Sequence, residues 1–131
     1  MSQITEPSTA EIVRRYVDVW SEPDPEHRRA AIAGLWAPEG AEFVEGTQFR
    51  GPGELDARIA HAYQEFVASG RFIVTIADDV GRHDDIVTCT IQLTAPGGEV
   101  AWAARVFLLL DTDGRIREDY QLTVKPFAER A

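Results

Sequence analysis

Apolar residues near the start of the chain recur at the spacing of two amphipathic helices. Ser8 and Glu11 form an S-x-x-E pattern, in which both side chains can accept hydrogen bonds from backbone amides at a helix start. A first helix is predicted over about residues 9 to 21, and its apolar residues are Ile12, Val13, Tyr16, Val17 and Trp20. A second helix is predicted after Asp24, because Pro25 suits the first helical position. Its apolar face consists of Ile32, Leu35 and Trp36.

The pattern then changes to the alternation of a short strand. Ala41, Phe43 and Glu45 are predicted on one face, and Glu42 and Val44 on the other. The strand ends in a carboxylate, since a glycine follows Glu45 directly. Glu45 is therefore either a solvated residue at a strand end or an acid that points into a pocket.

A third helix and four strands account for the rest of the chain. Pro52 opens the helix, and Gly70 lies where a left-handed C-terminal cap is expected; the apolar side of this helix consists of Leu55, Ile59, Ala62 and Phe66. Strands are predicted over about residues 71–80, 85–95, 99–110 and 115–124, with turns at PGG and DTDG.

Helices followed by a run of strands indicate an α+β fold rather than an alternating βαβ fold. A length of 131 residues is typical of one domain. We expect residues 1–8 to be frayed, residues 9–124 to form the domain and residues 125–131 to be a tail.

Composition and charge exclude several partners and compartments. The chain has 13 Lys and Arg against 22 Asp and Glu, a net charge of −9, and lacks a basic stripe, so nucleic acid is not an expected partner. A single cysteine excludes an intrachain disulfide. The N-terminal residues lack a signal-peptide pattern, and the longest apolar run is too short to span a membrane. A cytoplasmic protein without membrane attachment is expected.

Motifs for metal, nucleotide or serine chemistry are missing from the sequence. The 3 histidines are scattered without i, i+4 partners, so no metal site is expected. Phosphate-binding glycine loops and the G-x-S-x-G pattern do not occur.

Several stretches of the chain resemble the SnoaL-like branch of the nuclear transport factor 2-like superfamily. They are RRYVDVW, DPEHRRAAIAGLWAPEGAEFVEG, FRGPGEL, GRHDDIV and LLLDTDGRIREDY. The resemblance implies a cone-shaped fold, with three N-terminal helices packed on a strongly curved, mostly antiparallel sheet that encloses an apolar pocket. It also implies frequent homodimers. Relatives include cofactor-free isomerases, polyketide cyclases, dehydratases, epoxide hydrolases and binding proteins, so the fold does not choose the chemistry.

The resemblance nominates three catalytic residues. Tyr16 matches a tyrosine that donates a hydrogen bond to a developing oxyanion in the ketosteroid isomerases, and Glu45 matches their general base with one extra methylene. Val106 stands where those enzymes have a second oxyanion donor, so a steroid-isomerase mechanism is not expected in full. SnoaL-like cyclases place a carboxylate on the last strand, where Asp119 is the counterpart.

The resemblance and strand alternation together predict which residues line the pocket. On the last strand, Asp119, Gln121 and Thr123 are expected to point inward. The other predicted lining residues are Trp20, Phe43, Val87, Cys89, Trp102, Ala104, Val106 and Leu108. An outer sheet face with Thr88, Thr90, Gln92, Arg105 and Phe107 is a candidate surface for a symmetric dimer.

Each candidate also has a purely structural interpretation. Asp119 can pair with Arg115 or Arg117 on a wet surface, and Tyr16 can be a core tyrosine. The resemblance therefore leaves two functions open. One is a cofactor-free isomerase, cyclase or dehydratase that acts on a small, apolar, carbonyl-bearing molecule. The other is a small-molecule-binding or dimeric interaction module without chemistry.

Overall fold

The computed structural model describes residues 7–128. Three helices come first, α1 (Thr9–Trp20), α2 (Pro25–Leu35) and α3 (Gly51–Ala62). A π-helical turn, Tyr63–Val67, continues α3. The strands are β1 (Trp36–Val44), β2 (Thr47–Arg50), β3 (Ile73–Ile76), β4 (Gly81–His83), β5 (Ile86–Thr94), β6 (Val100–Leu110) and β7 (Ile116–Lys125). Within residues 7–128, none of the helices has the length and apolar character that a membrane crossing requires.

The helix ends follow the predicted capping residues. The Ser8 hydroxyl accepts a hydrogen bond from the Glu11 amide at 3.1 Å, and the Asp24 carboxylate accepts one from the Glu26 amide at 2.8 Å. Gly70 adopts the left-handed conformation, with φ of 81°. These contacts satisfy backbone amides that a helix leaves unpaired at its first turn, and they confirm the predicted starts of α1 and α2.

The seven strands within residues 7–128 form one mixed sheet, which confirms the predicted α+β class. The strand order is β2-β1-β7-β6-β5-β3, and β4 also pairs with β5. Every pairing is antiparallel except that of β1 with β7, which is parallel. The parallel pair joins the first long strand to the last, so residues about 77 positions apart in sequence, such as Glu42 and Asp119, become direct neighbours.

The hydrophobic core lies between the helices and one face of the sheet. It contains apolar side chains from all three helices, such as Ile12, Ile32 and Ile59, and strand residues from β5 and β6. Val87, Cys89, Ala104, Val106 and Leu108, which were predicted to line a pocket, belong to this core and are fully buried. Their predicted inward direction is therefore correct, but they do not border the cavity described below.

The first strand differs most from the prediction. It begins at Trp36, which was expected to end α2, and its pairing with β7 shifts register between Trp36 and Ala41. Glu42 is fully buried, whereas Phe43 is partly exposed and stacks on Tyr120 with ring centroids 4.8 Å apart. Phe43 therefore lies on the sheet face opposite Glu42 and does not line the cavity, because neighbouring strand residues point to opposite faces.

The predicted ends of the domain are described only in part. Residues 1–6 and 129–131 lie outside the described residues. The fraying expected for residues 1–8 therefore falls mostly on that part of the chain. In the segment predicted as a tail, the Phe127 ring packs on Phe66 with ring centroids 5.3 Å apart. This part of the segment therefore contributes to the packing of the domain.

Candidate functional site

A mostly apolar cavity of about 180 Å³ opens between α3, the π-helical turn and the sheet. Its apolar wall includes Trp20, Phe66, Val74, Leu93, Trp102 and Phe127. Four polar side chains also border it, those of Glu45, Arg58, Gln121 and Thr123. An apolar recess with a few polar groups is the usual character of a small-molecule site.

Aromatic rings form one end of this cavity. Trp102 and Phe127 have ring centroids 6.4 Å apart, and Phe127 also packs against Phe66 and Phe72. The π-helical turn brings Phe66 to this position on its half-buried side. π-Helical segments often occur at functional sites because they change the direction of side chains along a helix.

Glu45 lies at the mouth of the cavity in an unfavourable backbone conformation. Its φ is 51° and that of Gly46 is 76°, which is the pattern of a two-residue hairpin turn between β1 and β2. The side chain is exposed, and its carboxylate accepts a hydrogen bond from the Thr123 hydroxyl at 2.6 Å. Glu45 is thus a strand-end residue that also borders the cavity, because the turn directs its side chain towards β7.

Tyr16, Asp119 and Gln121 form a buried hydrogen-bond chain behind the cavity wall. The Tyr16 hydroxyl donates to Asp119 Oδ2 at 2.8 Å, and Gln121 Nε2 donates to the Tyr16 oxygen at 2.6 Å. Burial raises the pKa of Asp119 well above its ordinary value, and the nearby Glu42 carboxyl raises it further. Burial likewise raises the pKa of Tyr16, with further contributions from Asp119 and Glu42. Burial thus disfavours the charged forms of both Asp119 and Tyr16.

Glu42 and Arg58 form a second buried pair beside this network. Arg58 Nε donates to Glu42 Oε1 at 3.0 Å, and the Glu42 side chain is 0% exposed. Burial raises the pKa of Glu42, while the positive charge of Arg58 partly offsets that increase. Glu42 Oε2 and Asp119 Oδ1 are buried without a hydrogen-bond partner among residues 7–128. One cation thus serves two neighbouring carboxyl groups.

The structure brings some of the predicted site residues together and separates others. Tyr16, Asp119 and Gln121 are in contact, but only Gln121 of the three borders the cavity. Glu45 borders the cavity from its mouth, and the predicted lining residues Trp20 and Trp102 border it as well. The surface ion pair considered for Asp119 is not formed, since Asp119 is buried and Arg115 pairs with Asp113 at 2.9 Å.

Glu42 and Arg58 were not identified from the sequence, although one signal pointed to them. Arg58 interrupts the apolar face of α3 between Leu55 and Ala62, which are at helical spacing from it. A charged residue in an apolar stripe usually has a buried partner. The partner is Glu42, which the strand alternation placed on the face opposite to the predicted lining residue Phe43.

Comparisons with known proteins give the fold. No protein-family model matches the sequence, and no curated protein matches it. Several solved structures do match. A protein from Agrobacterium tumefaciens str. C58, assigned as an isomerase of the SnoaL-like family, has a TM-score of 0.79 at 23% identity, over 88% of this chain and 96% of that one.

Two further structures have the same architecture. An assigned SnoaL-like polyketide cyclase from Jannaschia sp. CCS1 has a TM-score of 0.71 at 20% identity, over 95% of this chain and 90% of that one. A protein from Catenulispora acidiphila DSM 44928 with a ketosteroid isomerase-like fold, solved in complex with trimethylamine, has a TM-score of 0.64 at 19% identity, over 89% and 85% of the two chains. This chain therefore has the fold shared by SnoaL-like, nuclear transport factor 2-like and ketosteroid isomerase-like proteins.

Proposed function

We propose that this protein is a cofactor-free acid–base enzyme of the isomerase, cyclase or dehydratase type. Its substrate is a small, largely apolar, carbonyl-bearing molecule bound in the cavity, which a strongly curved sheet encloses. The observation that carries the proposal is the position of Glu45. A carboxylate borders an apolar cavity that also contains the Gln121 amide, a hydrogen-bond donor for a carbonyl oxygen.

The backbone at Glu45 supports a functional role for this residue. The first position of such a hairpin turn favours Asn, Asp or Gly, because only these residues adopt a left-handed conformation readily. Glutamate at φ of 51° costs about 1 kcal/mol there. Glu45 thus destabilises its own turn while its side chain borders the cavity. Strain of this kind is common at residues with a functional role.

Gln121 connects the buried network to the ligand. Because the Tyr16 hydroxyl donates to Asp119, its oxygen is available to accept from Gln121 Nε2. This contact fixes the orientation of the Gln121 amide, whose second N–H can then reach a ligand oxygen. Tyr16 and Asp119 are therefore positioning residues in this proposal, since neither borders the cavity.

The reaction begins with proton transfer to Glu45. Its carboxylate takes a proton from a carbon next to the substrate carbonyl, the C–H electron pair forms a C=C bond, and the carbonyl π pair moves to oxygen. Gln121 donates a hydrogen bond to that oxygen, and Glu45 returns the proton to another position. A placed base of this kind contributes on the order of 10²–10⁴-fold to a rate.

The size of the cavity limits the substrate. The cavity has a volume of about 180 Å³. It is smaller than the roughly 300–1,000 Å³ of sites for drug-sized ligands. A compact ring compound fits this volume, and a larger substrate would extend through the mouth beside Glu45.

A homodimer in the cytoplasm is part of the same proposal. Leu122 and Val124 are 58% and 61% exposed on β7, and Phe107 on β6 is half-buried. Apolar side chains of this kind on one sheet are suited to a symmetric interface. Light scattering of the purified protein is expected to give twice the mass of one chain, and the mass of one chain would contradict the dimer.

A passive binding module is the second candidate function. It is favoured by the complete burial of Tyr16 and Asp119, which separates them from the cavity, and by Val106 in place of a donor. In this case the polar network is a structural feature of the core, and the cavity holds its ligand without reaction.

Hydrogen–deuterium exchange tests the enzyme proposal without a known substrate. A panel of small cyclic ketones is incubated with the protein in deuterium oxide, and exchange next to the carbonyl is followed by proton NMR. We expect exchange with wild-type protein, and a rate lower by roughly 100-fold or more in Glu45→Gln. Glu99→Gln, at an exposed turn outside the cavity, is the matched control and should retain the wild-type rate.

Two results would reject the enzyme proposal. One is exchange at the background rate for every ketone that binds, which supports the passive module. The other is an unchanged rate in both Glu45→Gln and Asp119→Asn, because the proposed base and the network behind Gln121 would then have no role.

A further inference from the structure

Arg58 has an unusual environment for a cationic side chain. Its guanidinium carbon lies 5.1 Å from the centre of the Trp20 ring and 5.6 Å from that of Phe49, and only 20% of its side chain is exposed. Nε is held by Glu42 Oε1 at 3.0 Å. Stacking on the two rings and the hydrogen bond to the carboxylate together fix the plane of the guanidinium group. An exposed arginine side chain lacks such restraints.

The terminal nitrogens of Arg58 are available to a ligand. Among the described residues, none accepts a hydrogen bond from them, while Nε is the atom paired with Glu42. The side chain also borders the cavity. A guanidinium group with Nε occupied still presents the N–H groups of both terminal nitrogens, which suit an oxygen atom that carries negative charge.

We infer that Arg58 binds the carbonyl oxygen of the substrate as it gains negative charge, and that Glu42 is the residue that positions it. The inference rests on the proposed function, which it deepens by assigning a second, positively charged donor to the oxygen that Gln121 also contacts. It also accounts for Val106, because the donor missing from that strand is supplied from α3 instead.

The distribution of charge around Arg58 is consistent with this role. Two ionised carboxylates beside a single guanidinium would give the buried cluster a net negative charge, which would oppose an anionic oxygen. Burial and the Glu42 carboxyl both raise the pKa of Asp119, which favours its neutral form. With Asp119 in its neutral form, the Glu42–Arg58 pair has no net charge, and Arg58 borders the cavity.

The role of Arg58 is confined to the charged intermediate. When Glu45 takes the proton, the electrons of the broken C–H bond form the C=C bond and the carbonyl π pair becomes an oxygen lone pair. Arg58 donates hydrogen bonds to this enolate oxygen. When Glu45 returns the proton to carbon, the charge on oxygen is lost and the hydrogen bonds weaken. Preorganised donors of this kind stabilise the transition state more than the substrate.

Binding of para-nitrophenol tests the inference independently of turnover. The compound is small, and its anionic form places negative charge on an oxygen, as an enolate does. Its two protonation states have different visible spectra, so the affinity for each is measured by titration at pH values on either side of its own pKa. We expect wild-type protein to bind the phenolate roughly 10- to 100-fold more tightly than the neutral phenol, the range for hydrogen bonds to a charged group.

The variants separate a specific role from a structural one. Arg58→Met combined with Glu42→Gln removes both charges, so no carboxylate is left unpaired in the core. It should lose the preference for phenolate and retain binding of the neutral phenol. If Glu42 positions Arg58, Glu42→Ala should weaken the binding of phenolate and leave the binding of neutral phenol unchanged. Arg71→Met is the matched control, because Arg71 also stacks on aromatic rings, Phe66 and Phe72, but does not border the cavity.

The outcomes distinguish this inference from the proposed function. A preference for phenolate that Arg58→Met/Glu42→Gln abolishes and Arg71→Met retains supports the role of Arg58, even if no ketone undergoes exchange. A preference for phenolate without any ketone exchange would reject the proposed enzyme activity, and the cavity would then be an anion-selective binding site. Equal affinities for phenol and phenolate in wild-type protein, or an unchanged preference in the double variant, would overturn the inference.

Discussion

Replacing Arg58 with methionine is expected to destabilise the protein by an amount that depends on pH. The methionine side chain retains most of the packing on Trp20 and Phe49, but Glu42 is left buried without its cation. Removing one member of a buried ion pair typically costs about 3–5 kcal/mol. Glu42 can lower this cost by binding a proton on folding, and the pH then sets the cost.

The magnitude follows from the ordinary pKa of glutamate. Keeping Glu42 protonated costs about 1.4 kcal/mol for each pH unit above about 4.3, which is about 3.7 kcal/mol at about pH 7 and about 1 kcal/mol at about pH 5. The sign is that of a raised pKa: the folded state holds a proton that the unfolded state releases, so stability is lost as the pH rises above about 4.3.

Urea unfolding of three proteins at both pH values measures this effect. Arg58→Met should be about 3–4 kcal/mol less stable than wild type at about pH 7, and clearly less destabilised at about pH 5. Adding Glu42→Gln should recover most of the loss at about pH 7, because the buried charge is then absent. An equal destabilisation at both pH values, or a double variant no more stable than Arg58→Met, would refute the reasoning.

Four further predictions follow from individual positions. Asp119→Asn should make the fall in stability above about pH 4 shallower in urea unfolding, because the raised pKa of Asp119 contributes up to about 1.4 kcal/mol per pH unit in wild type; an unchanged slope would contradict this. Gly40→Ala should cost about 1–3 kcal/mol in thermal unfolding, since its Cβ would lie 2.8 Å from the Ile116 carbonyl oxygen; a neutral effect would show that β1 can move away. Glu45→Asn should stabilise the protein by about 0.5–1 kcal/mol and abolish ketone exchange; a loss of stability would argue against strain at this turn. Cys89, whose pKa burial raises to about 12, should react with a thiol reagent only after unfolding; prompt reaction of the folded protein would contradict its burial.

The helix starts and the later strands were predictable because their signals are local. Ser8, Asp24 and Pro25 are capping residues within one turn of the helices they begin. The strands β5 and β6 alternate over nine and eleven residues, bounded by glycine and aspartate turns. Local signals of this kind do not depend on which strand becomes a neighbour.

The first strand was predicted poorly because its position depends on a distant partner. Its parallel pairing with β7, and the register shift before Ala41, set which residues of β1 are buried. The resemblance assigned Phe43 to the pocket, whereas Glu42 is the buried residue of the two. The register shift before Ala41 affects this assignment, since a shift of one residue reverses both faces. The sequence contains no local marker of that shift except Gly40, whose close approach to the Ile116 carbonyl is visible only in the fold.

The candidate site was predictable only in part. Alternation counted from the DTDG turn, together with the family resemblance, placed Asp119 and Gln121 on the inner face, where the structure has them. The direction of Glu45 depends on its left-handed backbone, which a glutamate does not signal. Arg58 meets Glu42 because α3 packs over β1, and a contact of this kind requires the tertiary structure.

The central claim is that Asp119 is buried and protonated, so that Arg58, the cation of the site, pairs only with Glu42 and the ligand. A carboxyl-carbon NMR titration of labelled protein tests it most directly, with the Asp119 and Glu42 signals assigned through Asp119→Asn and Glu42→Gln. The account predicts that Asp119 remains protonated at neutral pH, far above the ordinary aspartate pKa of about 3.9. A titration of Asp119 near that ordinary value would contradict the account, because the cluster would then contain two carboxylates beside one arginine and would repel the anionic oxygen assigned to Arg58.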